Sequence, residues 1–249
     1  MGVDLRTTNE SECMKAFLLA AGHGTRLRPL TDQIPKCLVP IRGIPLLLIW
    51  LEICRLHGID EILVNLHSQP QLVRDLLAKT HTNIQIRLFD EPTLLGSAGT
   101  LRAHRDWVES EDSFWVFYAD ILTTANLTGM AEFHRQHDGV ATLGIHHVPD
   151  PRRSGIVDVG EDGRIRQFIE KPENPTGNLA FGGILLARPQ LLESIPDYDP
   201  VDLARDVFPR VATRLLSHEI TDYHLDIGTP ESYLSAQAGW PGLEVATAA

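Results

Sequence analysis

Short apolar runs alternate along the chain with stretches whose apolar positions recur every three to four residues. Residues 16–20, 62–66, 84–89 and 114–118 are runs of strand length. The first, second and fourth are almost continuously apolar, which predicts strands buried on both faces, as in a parallel sheet. Between them, residues 45–56 read as a helix that opens on Pro45 and is closed by Gly58 just past its end. Residues 69–80 and 99–108 supply two further helical patterns. This β-α-β-α order predicts a mostly parallel sheet with helices on both faces. After Gly139 the pattern shifts towards strands, at residues 141–147, 155–159, 165–169 and 180–187. Helices are predicted at 189–195, 202–215 and 229–238. Residues 1–14 and 241–249 lack periodicity and read as a loose lead-in and tail. No Gly/Ser/Pro-rich linker separates the halves. Residues 15–240 are therefore expected to form one α/β domain, a Rossmann-like, mostly parallel mixed sheet flanked by helices.

Composition narrows the partners. Of 249 residues, 43% are hydrophobic and 22% charged, a balance that rules out wholesale disorder. Acidic residues outnumber basic ones by 33 to 22, a net charge of −11, which argues against a nucleic-acid coat or an anionic membrane surface as partner. A local basic cluster could still hold a phosphorylated substrate. Cys13, Cys37 and Cys54 form no Cys-x-x-Cys pair, a sparse, odd set that fits a reducing compartment. No apolar run approaches the roughly 20 residues that span a bilayer. The amino terminus is charged where a signal peptide would be apolar. A cytoplasmic protein is expected.

The most informative stretch runs from Leu18 to Thr31 and on to Pro35-Lys36: Leu-Leu-Ala-Ala-Gly-His-Gly-Thr-Arg-Leu-Arg-Pro-Leu-Thr. A buried strand ends in a loop of small residues, which lets backbone N–H groups approach phosphate oxygens. Arg26 and Lys36 add fixed positive charge beside it. The loop is neither a Walker A, which needs Gly-x4-Gly-Lys-Ser/Thr, nor a dinucleotide fingerprint, because Leu27 stands where the third glycine belongs. Asp120 follows the run 114–118 and so lies at the carboxyl edge of a strand, where open α/β sheets bind ligands. Asp226 follows a second short run and could reach the same crevice. Two carboxylates with phosphate oxygens are a usual Mg²⁺ setting. Either aspartate alone would read as a cap or turn residue. The eleven histidines lack Cys partners or a His-Glu-x-x-His frame, so zinc is not expected. No Gly-x-Ser-x-Gly elbow is present. Cys37, beside Lys36, is the one cysteine expected near substrate.

The run from Leu18 to Lys36 closely resembles the signature of the sugar-1-phosphate nucleotidyltransferases, and the resemblance extends over residues 15–238. Glu91-Pro92 to Leu95-Gly96-Ser97-Ala98-Gly99 is similar to that family's base-contacting loop, Tyr118-Ala119-Asp120 to its metal-binding aspartate motif, Glu170-Lys171-Pro172 to its sugar-phosphate motif, and Leu225-Asp226-Ile227-Gly228 to its late aspartate motif. The resemblance implies a GT-A-like fold and the joining of a sugar 1-phosphate to a nucleoside triphosphate, with Mg²⁺ as cofactor. It implies a nucleotide site formed by Leu19, Ala20, Ala21, Gly22, Gly24, Thr25 and Arg26 together with Glu91, Gly96 and Ser97. Arg26 would bind the departing pyrophosphate, Lys36 would bridge phosphates at the reacting centre, and Asp120 and Asp226 would hold the metal. Gly155, Glu170 and Lys171 would hold the sugar phosphate. Pyrimidine-using members commonly carry glutamine at the position of Glu91. A carboxylate is acceptor-only and suits the N–H pair of guanine, so GTP is the expected base donor. Mannose-1-phosphate and manno-heptose-1-phosphate guanylyltransferases are the members most similar in look. Ala180-Phe181-Gly182 departs from the Asn that many members carry there. That keeps uridylyl- and thymidylyltransferases open, the muramate type among them. A non-catalytic module that binds nucleotide sugars is the alternative from another class, and self-association as a homo-oligomer is left open. The left-handed helix repeat of some relatives is absent, so a minimal catalytic domain is expected.

Overall fold

The computed structural model describes residues 14–243, so most of the expected lead-in and tail, Cys13 included, lies outside the described residues. The first half of the chain forms β1 (Met14–Leu19), a small hairpin of β2 (Pro40–Ile41) and β3 (Ile44–Pro45), α1 (Leu46–Leu56) and β4 (Ile59–Leu66). It continues through α2 (Pro70–Leu77), β5 (Gln85–Asp90), α3 (Ser97–Ala103), α4 (Arg105–Val108) and β6 (Phe114–Tyr118). The second half contributes β7 (Ile121–Thr123), α5 (Leu127–Arg135), β8 (Ala141–His147), β9 (Gly155–Val159), β10 (Ile165–Glu170) and β11 (Leu179–Ala187). It ends with α6 (Phe208–Val211), β12 (Leu215–Glu219), β13 (His224–Asp226) and α7 (Pro230–Gly239).

Nine of these strands build one mixed sheet in the order β10-β9-β11-β6-β1-β4-β5, with β8 joining β11 to β12. The β6-β1-β4-β5 half is parallel, as the β-α-β-α pattern predicts, and the strands beyond β6 pair antiparallel with the parallel β8–β12 pair at the edge. Alternation along β6 divides its side chains between two cores. Trp115 and Phe117 face α1, where Phe117 stacks on Trp50 at 4.7 Å. Phe114 and Val116 face the other layer, with Phe17, Leu101 and Phe208. Each of these aromatic rings is at most 1% exposed, so the sheet is covered on both faces.

The site is opened by a bend in β11. Residues Ile184–Ala187 pair with β6, whereas Ala180 pairs with β9, and the register against β8 shifts between Phe181 and Leu185. Gly183 makes the bend with φ +73°, and a Cβ there would stand 2.9 Å from Ile121 Cγ1. The first half of β11 therefore leaves β6 uncovered at its carboxyl end. A cleft results.

Three expectations for helices need correction. Residues 99–108 form two helices, broken at His104. Residues 202–215 are not one helix: a π turn over Leu203–Val207 leads into α6, then a 3₁₀ turn over Ala212–Arg214, and Leu215 already begins β12. Pro209 explains the interruption, since it donates no backbone hydrogen bond and its ring crowds the preceding turn. Residues 189–195 form a 3₁₀ segment over Pro189–Ser194. α5 has no counterpart in the sequence reading. Asn126 starts it by accepting from Gly129 N at 2.9 Å.

Candidate active site

The carboxyl ends of β1, β4 and β6 converge on a cavity of about 230 Å³ lined by Leu19, Ala20, Ala21, Gly22, Lys36, Glu91, Gly96, Ser97 and Asp120, with Cys37 and Asn65. A larger cavity of about 820 Å³ opens beneath the bend of β11 and is lined by Arg26, Asp120, Gly155, Glu170, Lys171 and Asp226. The two share Leu94, Gly96, Tyr118, Asp120 and Asp202. Of the residues expected at the site, only Gly24 and Thr25 line neither. Gly24 instead turns the chain with φ +63°, and its carbonyl accepts from Thr31 Oγ1 at 2.8 Å. The 3₁₀ turn that begins at Thr25 then presents Arg26.

At the junction, Lys36 Nζ lies 2.5 Å from Asp120 Oδ2 and 3.7 Å from Asp226 Oδ1. Asp120 closes β6, and Asp226 closes β13, which pairs with β7 just beyond it; Ile227 N donates to Asp120 O at 2.9 Å. Burial and then the charge of Asp120 push the Asp226 carboxyl up, while Lys36 and Arg26 pull it back. A Cβ on Gly228 would stand 2.9 Å from Asp226 Oδ1 and 3.0 Å from Arg26 Nη2, so the guanidinium lies beside this acidic pair. Two cations thus surround two carboxylates. The donor set suits a hard divalent cation, because like-charged carboxylates close together gain from one. Among the described residues no third His, Cys, Asp or Glu joins them, which leaves coordination positions for phosphate oxygens and water.

On the opposite wall, Lys171 pairs with Glu170 Oε1 at 3.1 Å and donates its backbone N–H to Ser154 O. Lys171 takes φ +47°, which turns its side chain out of the strand line. A Cβ on Gly155 would stand 2.8 Å from Glu170 Oε2, so glycine keeps the neighbouring β9 out of this carboxylate's way. These three residues meet as expected.

Glu91 behaves differently from its expected role. It is 3% exposed, and its Oε1 accepts from Asn65 Nδ2 at 2.8 Å and from Thr100 Oγ1 at 2.5 Å. Its Oε2 accepts from Leu95 N at 3.2 Å. Asn65 Oδ1 in turn accepts from Ala20 N at 2.6 Å. The carboxylate therefore ties the 94–97 loop to β4 and the phosphate loop. Gly96 has φ +81°, and any side chain there would run into the Val201 carbonyl. The same carbonyl accepts from Ala98 N and Gly99 N, and Ser97 Oγ donates to Asp202 Oδ2 at 2.7 Å. Segment 199–203 is thus the back wall of the loop. Cys37 is buried, and burial pushes its thiol up to about 12, so it lines the cavity as an apolar group.

Residues 15–240 match the nucleotidyl transferase family. The chain belongs to that family. A mannose-1-phosphate guanylyltransferase 1 of Arabidopsis thaliana is 34% identical over 229 residues, which cover 89% of this chain and 63% of the relative. The chain thus spans about two thirds or less of the length of the curated relatives it matches. Two solved structures share the fold. One is a Bacillus anthracis protein described as a glucose-1-phosphate thymidylyltransferase, with a TM-score of 0.81 at 23% identity over 91% of this chain and 94% of that one. The other is HddC from Yersinia pseudotuberculosis complexed with GMP-PN, with a TM-score of 0.75 at 23% identity over 90% and 98%. In this member of the family, sequence reasoning missed Asn65, Tyr118 and Asp202 as cavity residues. Asn65 is a polar residue near the end of the apolar run 62–66, and Asp202 caps the turn after it through Ala204 N and Arg205 N. Both signals were readable. Tyr118 had none.

Proposed function

We propose that residues 15–240 form one catalytic domain that joins a sugar 1-phosphate to a nucleoside triphosphate, with GTP preferred, releasing pyrophosphate. The observation that carries this reading is the cluster of Lys36, Arg26, Asp120 and Asp226 at the junction of two cavities of about 230 and 820 Å³. An oxygen of the sugar phosphate forms a bond to the α-phosphorus as the bond from that phosphorus to the β-phosphate oxygen breaks, and pyrophosphate departs with the electron pair. The attacking oxygen is already anionic, so no general base is required. Positioning and charge neutralisation then supply the acceleration. Lys36 neutralises the reacting phosphates, Arg26 the departing pyrophosphate, and Lys171 with Glu170 orients the sugar phosphate. Asp120 and Asp226 would hold Mg²⁺, which when bound offsets phosphate charge beyond what two cationic side chains provide.

The guanine preference rests on the curated relatives named as guanylyltransferases. Because Glu91 is committed to three protein donors, base contacts fall mainly to the loop backbone at Gly96 and Ser97. Pyrophosphate release tests the whole reading. Purified protein with Mg²⁺ is expected to release it from GTP faster than from UTP, dTTP or ATP, and only with a sugar 1-phosphate present. Faster release with UTP or dTTP moves the assignment to the pyrimidine branch. No release with any hexose, heptose or amino-sugar 1-phosphate leaves a binding module.

A further inference from the structure

β11 faces the larger cavity with Phe181, Gly182 and Gly183, a stretch with no polar side chain. One of its backbone acceptors is taken as well, since Gly182 O accepts from His224 Nε2 at 2.8 Å. A sugar ring lying here would find an aromatic face and nothing on this strand to read its hydroxyls. The neighbouring strand supplies what β11 lacks. His146 on β8 pairs in register with Ala180 and lines the same cavity. Its ring leans on His224, centroids 4.4 Å apart, and neither of its nitrogens has a hydrogen-bond partner among the described residues. Its neighbour His147 points to the opposite face, as strand alternation requires, and bonds to Asn178 Oδ1.

We infer that His146 is a specificity-determining residue for the sugar, a partly buried imidazole held by His224 that hydrogen-bonds a ring hydroxyl of the sugar 1-phosphate. The inference rests on the sugar-phosphate reading of the cavity and deepens it. Four of the cavity's other polar side chains are committed within the protein, whereas the buried Tyr118 hydroxyl has no hydrogen-bond partner and Arg26, Arg153 and Ser154 stand outside these pairs. Glu170 and Lys171 pair with each other, Asp202 caps a turn and accepts from Ser97, and Arg205 pairs with Asp206. His224 acts on His146 by position alone, fixed between Gly182 O and Thr123 Oγ1.

The test separates sugar contact from phosphate contact. Calorimetric titration uses a panel of hexose and heptose 1-phosphates, with inorganic phosphate as the probe of the phosphate grip alone. The wild type is expected to bind one sugar phosphate more tightly than phosphate. His146→Phe keeps the ring against His224 and should weaken that sugar phosphate about 5- to 10-fold, the scale of one hydrogen bond, with phosphate unchanged. His146→Gln should recover part of the loss. In turnover, KM for the sugar phosphate should rise while KM for the triphosphate and kcat move less than about 2-fold. A His146→Phe variant that binds the sugar phosphate as tightly as the wild type, or loses both ligands equally, overturns the inference and leaves the nucleotidyl-transfer reading standing. A wild type that binds no sugar phosphate better than inorganic phosphate overturns that reading and the inference with it.

Discussion

Replacing Glu91 by glutamine separates two roles that a sequence cannot distinguish. If the carboxylate reads guanine, Glu91→Gln changes the ratio of kcat/KM for GTP to that for UTP and leaves stability alone. The structure leads to the opposite expectation. Both carboxylate oxygens accept hydrogen bonds inside the protein, two at Oε1 and one at Oε2. A glutamine side chain has one oxygen and one NH₂ in the same plane. Turned one way, its NH₂ opposes the Leu95 N–H. Turned the other way, it opposes Asn65 Nδ2 and the Thr100 hydroxyl, which can rotate but then surrenders its bond. Either orientation leaves at least one buried donor unpaired, at a cost of about 1–3 kcal/mol. For a chain of this size that lowers the unfolding midpoint by roughly 2–4 °C per kcal/mol, so a drop of about 4–8 °C is expected for a loss near 2 kcal/mol. Because the loop carries Gly96 and Ser97, loosening it should slow turnover with GTP and UTP in similar proportion. Thermal unfolding and parallel kcat/KM measurements on the two triphosphates decide the matter. An unchanged midpoint with a GTP-to-UTP ratio that falls tenfold would refute the reasoning and return Glu91 to the base.

Lys36→Ala removes the cation between Asp120 and Asp226, and turnover is expected to fall by a factor of about 10² or more while the fold persists, read by steady-state kinetics and circular dichroism. Asp120→Asn preserves shape and removes charge, so the Mg²⁺ concentration for half-maximal rate should rise along with the loss of rate; an unchanged Mg²⁺ titration would make the carboxylate purely structural. Gly96→Ala forces a Cβ towards the Val201 carbonyl at a φ of +81°, a strain of about 1–3 kcal/mol that should appear both as a lower unfolding midpoint and as weaker nucleotide binding. His134 is 1% exposed and held neutral, burial pushing its imidazole down to about 4, so the group favours unfolding as the solution turns acid. Below the unfolded value of about 6.5 the unfolded chain takes up the proton that the folded chain refuses, and stability should fall with pH by about 1.4 kcal/mol per unit down to about 4 from this group. His134→Asn should flatten the urea midpoint between pH 7 and 5 relative to wild type.

The parallel half of the sheet was legible because each of its signals is local. Continuous apolar runs mark strands covered on both faces, and Pro45 and Gly58 bracket α1 to within a residue or two. The second half obeys longer-range rules. β12 begins inside a segment whose apolar spacing reads as helical, because Pro209 and the cap at Asp202 divide that segment into three kinds of turn before Leu215 joins β8 in parallel. β7 and β13 are three residues each and exist by pairing with one another. No periodicity can announce a strand that short. α5 went unread because its start depends on the Asn126 cap in a run where polar and apolar residues alternate too closely to favour either period.

At the candidate site the same division holds between residue type and relation. The glycine loop, Lys36 and the two aspartates were readable as chemistry, and the structure sets Lys36 between carboxylates that lie 106 positions apart in the chain, at 120 and 226. The sequence could also flag Glu91 as unusual. It could not say what surrounds it, and the surroundings decide the role. Asn65, on a different strand, brings a donor to Glu91 and an acceptor to Ala20, so one amide joins the 94–97 loop to the glycine loop after β1. A carboxylate that faced an open pocket would be free to select a base. Held by Asn65, Thr100 and Leu95, the same group instead fixes the conformation of the 94–97 loop.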